Sequence, residues 1–298
     1  DAARAGATTI IALTIKLDPS VGADHLRRLL LPKAYATMIK YALLDVLVGL
    51  RRADLWGFLG WHDVKQRYRR SSLGPLWITL ATLIMVAGMT LLYAGLFRQE
   101  LQSFLPLVAS GVVIWTFIAG CITEGSNVFI SASATIKQVP APLTIHVFRL
   151  IWNQFIYFLH NSIVIVLALV IAGVPVTATT MLFIPGLLLL IANLVWIILL
   201  LGTLGARFRD VPLIVQSLIT ALFMMTPVLW RVDFLPAERQ WVAFLNPFTY
   251  LLEVVRVPIL GSVPSLAQWS VAGAMAVGGW LVTSYVYGRS RRKVAYWI

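Results

Sequence analysis

The sequence predicts an all-α integral membrane protein, on two observations of composition and one of spacing. Of the 298 residues, 59% are hydrophobic and only 12% charged, with a mean hydropathy of +0.85. Soluble proteins carry about 25% charged residues. A soluble core cannot hide this much apolar surface from water, whereas lipid can. The apolar residues also gather into six nearly charge-free runs: Leu76 to Phe97, Leu101 to Ile122, Leu150 to Ala172, Met181 to Leu204, Val211 to Trp230 and Trp269 to Tyr287. A helix needs about 20 residues to cross a hydrocarbon core, and each run meets that length. Backbone groups in lipid must be satisfied internally, so the runs read as helices. Barrel strands would alternate in polarity and last only about 10 residues.

The net charge is +12. The basic residues sit in short clusters between apolar runs, which suits membrane topology and anionic headgroups rather than nucleic acid. One side of the predicted bundle collects Arg51, Arg52, Lys65, Arg67, Arg69, Arg70, Lys137, Arg149, Arg207, Arg209, Arg289, Arg291, Arg292 and Lys293. The other side has only Arg98, Arg231, Arg239 and Arg256. This bias predicts six spans with both termini in the cytoplasm. Cys121 is the single cysteine, so neither an intrachain disulfide nor a multi-cysteine zinc site is expected. Thr9 to Leu17 is short and lacks a basic leader, so no cleavable signal peptide is expected at the front.

Turn and cap signals agree with the spans. Ser72-Leu73-Gly74-Pro75 and Asp210-Val211-Pro212 supply a cap and a proline at the starts of spans 1 and 5, and Asn246-Pro247 marks a third helix start. Three regions are distinguished along the chain, two of them before span 1: a cytoplasmic extension (1–50), an interfacial amphipathic helix (51–70) and the transmembrane domain (71–298). Thr9 to Leu17 alternates enough for a short strand. Lys33 to Leu50 is compatible with an amphipathic helix, and Lys40 and Asp45 argue against a span there. In Arg51 to Arg70, Leu55, Phe58, Leu59 and His62 share one helical face, flanked by Trp56 and Trp61 and by basic residues, as in a helix lying on the inner leaflet. The cytoplasmic loop Glu124 to Arg149 is expected to carry a short projecting helix ended by Pro140. The external segment Phe234 to Gly261 is apolar but broken by Pro236, Pro247 and Pro258, so it predicts two short half-inserted helices, with Glu253 and Arg256 able to pair on one face.

The chemistry that is missing narrows the function. There is no phosphate-binding P-loop, no metal-ligand spacing and no nucleophile elbow. The spans almost lack ionisable residues, which disfavours a proton-coupled carrier. Span 3 carries a polar stripe of Asn153, Gln154, His160, Asn161 and Ser162. His160 is open to two readings: a proton or substrate site, or one of several side chains that hydrogen-bond to neighbouring helices. If the chain transports, another protein must supply the energy.

Several stretches together resemble the ABC-type polysaccharide-export permeases. They are Arg67-Tyr68-Arg69-Arg70-Ser71-Ser72-Leu73-Gly74-Pro75-Leu76-Trp77, Ile136-Lys137-Gln138 with Pro142-Leu143, Ala206-Arg207-Phe208-Arg209-Asp210-Val211, Thr226-Pro227-Val228-Leu229-Trp230, Asn246-Pro247-Phe248 with Leu251 to Arg256, and Arg291 to Trp297. The resemblance runs in order from Leu55 to Ile298, nearest to the branch that exports lipopolysaccharide O-antigen; nothing is carried over to the first fifty residues. It implies a bacterial inner-membrane unit of two copies of this chain and two ATP-binding subunits, with ATP and Mg bound by the partner and no cofactor in this chain. The substrate implied is a polyprenyl-diphosphate-linked polysaccharide.

The resemblance also assigns residues. Trp56, Asp63, Lys137, Gln138 and Pro140 would couple to the ATPase, while Asn246, Pro247, Glu253 and Arg256 would shape the external re-entrant helices. Spans 1, 2 and 5 would form the channel, where Tyr93, Phe97, Trp115, Phe117, Phe223 and Trp230 are open to two readings: aromatic faces on which sugar rings stack, or interfacial belt and packing. Arg67, Arg69 and Arg70 at the cytoplasmic mouth are likewise open to two: a hold on the lipid diphosphate through charge-assisted bonds, or topology charges alone. Alternatives are an ABC permease for capsule, teichoic acid, drug or lipid, and a membrane-embedded transferase that would need His160 as its acid or base.

Overall fold

The computed structural model describes residues 39–69, 74 and 76–298. Every regular element among them is helical. In chain order they are α1 (residues 39–51), α2 (Ala53–Arg67), α3 (Leu76–Phe97), α4 (Leu101–Gly125), α5 (Val128–Ser131), α6 (Ser133–Gln138), α7 (Thr144–Ala172), α8 (Phe183–Arg207), α9 (Val211–Met225), α10 (Trp241–Leu245), α11 (Pro247–Ile259) and α12 (Leu266–Trp297). Four helical stretches are long and apolar enough to cross a membrane: Leu76–Phe97, Leu101–Gly125, Thr144–Ala172 and Ala178–Arg207. The pair α10–α11 passes the same test only if taken together, and it is bent by 91°. The strand expected at Thr9 to Leu17 lies outside the described residues.

The helices divide by how much of their apolar surface the chain itself covers. Of the apolar stretch of α4, 78% is buried, against 17% for α3. Val108, Ala109, Val112, Val113, Ile114 and Ile118 of α4 form the centre of the core. Against it pack α7 on one side and α8 and α11 on the other, and α12 closes on α8. Polar side chains zip that last pair: Asn193 Nδ2 donates to the Ala272 carbonyl at 3.1 Å, Trp280 Nε1 to Ala192 at 3.2 Å and Thr283 Oγ1 to Trp196 at 3.3 Å. Such bonds hold helices together where lipid offers no hydrophobic drive.

Close approach depends on glycine. A Cβ on Gly205 of α8 would lie 2.1 Å from the Ser126 carbonyl oxygen, which is backbone and cannot swing aside. Gly205→Ala is therefore expected to cost about 1–3 kcal/mol, read as a lowered unfolding midpoint in detergent. At the end of α3, Arg98 takes a left-handed conformation, with φ of 53°. A side chain there costs roughly 1–2 kcal/mol, so Arg98→Gly is expected to raise the midpoint.

The structure corrects several sequence expectations. Span 5, read as Val211 to Trp230, is helical only to Met225, because Thr226 precedes Pro227 and adopts an extended backbone. Asp210 stands before α9 but its side chain makes no capping bond. Span 3 starts earlier than expected, at Thr144. Helix α2 packs on the protein through a face other than Leu55, Phe58, Leu59 and His62, the face expected to lie toward the leaflet, so that expectation is not among those corrected. Phe58 and Trp61 are exposed, while Trp56, Gly60, Asp63 and Val64 meet α7. Apolar residues occur all around this helix, and the aromatic surface of α7 decides which of them are covered.

Candidate functional site

The basic end of the molecule brings α2, α4, α5–α6 and the start of α7 together. Trp56 packs edge-on to Trp152 with ring centroids 5.9 Å apart and lies 6.2 Å from the Phe148 ring. One turn on, Gly60 lets the two helices touch; a Cβ there would meet the Trp152 ring at 2.8 Å. That contact sets Asp63 opposite Arg149. The guanidinium grips the carboxylate with two bonds, Nε at 2.6 Å and Nη2 at 2.5 Å, and Asn153 Nδ2 adds a third at 3.1 Å. Paired bonds of this kind fix orientation as well as distance.

A further turn on, Arg67 spans from Glu124, at 3.8 Å, to the face of Tyr157, 5.1 Å from its ring centroid. Both partners of that ion pair are about half exposed, so the attachment is weak. Between these pairs opens a cavity of about 470 Å³, lined by Asp63, Arg67, Glu124, Asn127, His146, Arg149 and Asn153 among others. His146 Nδ1 and Asn153 Oδ1 are buried there with no hydrogen-bond partner among the described residues. Two cations balance two anions, but only Arg67 is loosely held. Arg69 is exposed beside it and Arg70 lies outside the described residues. Helix α6 projects from the same end, with Lys137, Gln138 and Pro140 exposed.

The six aromatic residues separate into different settings. Phe117 is buried and packs on Phe158 at 5.2 Å and Phe155 at 6.5 Å. Trp115 is also buried, between Phe223 at 6.0 Å and Phe248 at 6.2 Å. Tyr93 stacks on Phe97 at 6.0 Å, and Phe97 reaches Phe234 at 5.2 Å. Tyr93, Phe97, Phe223 and Trp230 are all partly exposed. The polar stripe of α7 acts as interhelix glue: Asn153 goes to α2, Thr82 of α3 donates to Asn161 at 3.0 Å, and Gln154 lies against Gly120 of α4. His160 Nδ1 bonds back to the Ile156 carbonyl of its own helix at 2.8 Å.

At the opposite end, α11 is fixed by its own motif. Asn246 accepts from Phe248 N at 3.0 Å as a cap, with Pro247 following it, and its amide donates to Thr226 Oγ1 at 2.8 Å. Arg256 is 1% exposed, pairs with Glu253 and donates to the Pro227 carbonyl at 2.6 Å. The stretch after α9 is thus tied to α11 by one asparagine and one arginine.

Comparison with known proteins now bears on this arrangement. The family model described as ABC-2 type transporter matches residues 54–260. The chain belongs to the ABC-2 type transporter family. Two O-antigen export system permease proteins RfbA of Klebsiella pneumoniae are 24% and 23% identical to this ABC-2 chain over 193 residues, 64% of it and 74% of each relative. One of the same name from Myxococcus xanthus is 25% identical over 194 residues, again 64% of this chain and 74% of the relative.

Three acidic or basic residues of the ABC-2 chain matter more than their sequence context suggested. Arg149 looked like a topology charge and Glu124 like the edge of a loop, yet they hold Asp63 and Arg67. Asp45 was noted only as a residue unfit for a span. It is buried, and its carboxylate accepts from the Tyr287 hydroxyl at 2.5 Å, 242 residues away. The signal for Asp45 was present: a lone acid within an apolar helix needs a partner. Nothing in the spacing says which partner.

Proposed function

We propose that this chain is the membrane-spanning permease subunit of an ATP-driven exporter that moves lipid-linked O-antigen polysaccharide across the bacterial inner membrane. The observation that carries this reading is the agreement with O-antigen export permeases over most of an ABC-2 family domain. In this reading α3, α4, α7, α8, α9 and the apolar part of α12 are six spans, and α10–α11 is a re-entrant pair on the outside. The basic end with both termini is cytoplasmic. Two copies assemble with two ATP-binding subunits, which hold ATP and Mg.

The geometry supports each part. Helix α9 leaves Gln216, Ser217 and Thr220 exposed along one side, and Val215 is its one buried residue. A polar stripe on a membrane helix needs protein or water against it, as a second copy around a channel provides. The partly exposed Tyr93, Phe97, Phe223 and Trp230 are the aromatic faces left for sugar rings; Trp115 packs against Phe223, and Phe117 is buried against α7. Arg67 and Arg69 offer the diphosphate an exposed cationic group at the mouth, and Arg70, outside the described residues, is proposed to join them. Lys137 and Gln138 of α6, with Pro140 just beyond it, meet the ATPase, and Asp63 and Trp56 transmit its movement through α2 to α7.

The test is co-purification with the ATP-binding subunit, followed by hydrolysis in lipid with and without lipid-linked polysaccharide. A stable complex whose hydrolysis responds to the polysaccharide supports the proposal. A complex that responds only to another lipid-linked polymer overturns the substrate, and the lack of any ATPase partner overturns the exporter.

A further inference from the structure

Helix α1, residues 39–51, precedes the family match, which begins at residue 54. It is nevertheless built into the fold along one face. The Asp45 carboxylate accepts from Tyr287 Oη of α12 at 2.5 Å and lies 3.6 Å from the Arg291 guanidinium. Thr144, the first residue of α7, donates to the Asp45 carbonyl at 2.8 Å. Arg291 also donates to the Tyr41 carbonyl at 3.1 Å. Gly49 brings the backbone so near that a Cβ there would sit 2.2 Å from Thr144 Oγ1. One buried face, made of Ala42, Asp45 and Gly49, thus joins the start of α7 to the last part of α12.

The other face is apolar and uncovered. Tyr41, Leu43, Leu44, Leu47, Val48 and Leu50 are each between 43% and 52% exposed. Six such side chains on so short a helix would be unfavourable against water. The rim of this face is basic: Lys40 at one end, Arg51 and Arg52 at the other, all exposed. Arg289, Arg292 and Lys293 stand exposed on α12 beside the joint. Leu281 and Val282 of α12, about a turn and a half before Tyr287 in the same helix, are uncovered apolar residues as well. At about 1.5 Å per residue the helix is too short to cross a bilayer.

We propose that α1 lies in the cytoplasmic leaflet of the membrane, with its leucine face among acyl chains and its basic ends on anionic headgroup phosphates. Lipid fits better than a protein partner because the uncovered face carries no acid and is ringed by cations at the level where anionic headgroups lie. The consequence for the molecule is mechanical. Only Arg52 separates α1 from α2, so the lipid contact and the Asp45 joint together determine where α2 begins. This site is distinct from the Asp63 cavity and does not depend on which substrate is exported.

The test uses the full chain in nanodiscs containing phosphatidylglycerol. On a Cys121→Ser background, Leu44→Cys and, separately, Leu47→Cys are labelled with bimane. Doxyl-labelled lipid is expected to quench both labels and iodide to quench neither. Quenching by iodide would place the face in water, and quenching by neither would place it under protein; either result overturns the proposal. A second arm adds Asp45→Ala to the labelled chain, where release of the joint is expected to bring iodide quenching at Leu47→Cys. An unchanged profile would show that Asp45 does not hold α1. Neither arm involves ATP or polysaccharide, so failure here is separable from failure of the exporter reading.

Discussion

Arg256→Ala is expected to be the most destabilising single substitution in the chain. The guanidinium is 1% exposed and has two fixed acceptors, the Glu253 carboxylate and the Pro227 carbonyl. Truncation strands a nearly buried carboxylate and leaves a buried carbonyl without its donor. Removing one partner of a buried pair costs about 3–5 kcal/mol. Arg256→Lys is expected to recover only part of the loss, because one ammonium cannot reproduce a planar fork that reaches two separate acceptors. The measurement is the free energy of unfolding in detergent for the parent chain and both variants. A loss below about 1 kcal/mol for Arg256→Ala would show that the far end is held by packing alone. Glu253→Gln is the companion: it keeps an acceptor, so it should cost less than removal of the arginine.

The second large effect is expected at the Asp63–Arg149 joint. Both side chains are about one quarter exposed, so solvent screens part of the attraction. The two charge-assisted hydrogen bonds from Arg149 still leave a coupling of about 1–3 kcal/mol. A double-mutant cycle with Asp63→Ala, Arg149→Ala and the pair separates this coupling from packing losses. In the assembled exporter, either single substitution is expected to lower export more than ATP hydrolysis, since α2 would move without carrying α7 with it. Equal losses in both activities would point to failed assembly instead. Additive stability effects in the cycle would show that the two groups do not hold each other.

The parts of the fold that were legible in the sequence are those set by local chemistry. The α4 and α8 runs announce themselves because lipid excludes charge over a full crossing. Asn246-Pro247 marks the start of α11 because a cap and a proline at the first helical position act within one turn. Glu253 and Arg256 are three residues apart, so one helix suffices to pair them. What could not be read depended on which helix lies beside which. Asp63 and Arg149 are 86 residues apart and Asp45 and Tyr287 are 242 apart. No periodicity encodes such meetings. Trp56 was assigned to an interfacial rim because tryptophan favours that depth; Phe148 and Trp152 on α7 gave it a better place. The short extent of α9 was readable in principle, since Pro227 forbids helix at Thr226, but the apolar run around it masked the break.

Helix α9 is hydrogen-bonded to the rest of the chain near its two ends, and between them it is held by side-chain packing, Phe223 on Trp115 and Ile219 and Leu222 on the core. Before it, Arg209 donates to the Trp297 carbonyl at 3.1 Å, and after it Thr226 is held by Asn246. Along its length only Val215 is buried, and an apolar cavity of about 280 Å³, lined also by Trp196, Leu201, Phe248 and Met275, lies behind it. A rod clamped at both ends and lying over an open apolar cleft can bow without releasing its clamps. Bowing α9 into that cleft ruptures no side-chain hydrogen bond to another helix along its middle among the described residues. In the exporter proposed above, a passage bounded by such a wall would widen for a bulky sugar and narrow again behind it while the core around α4 stays still.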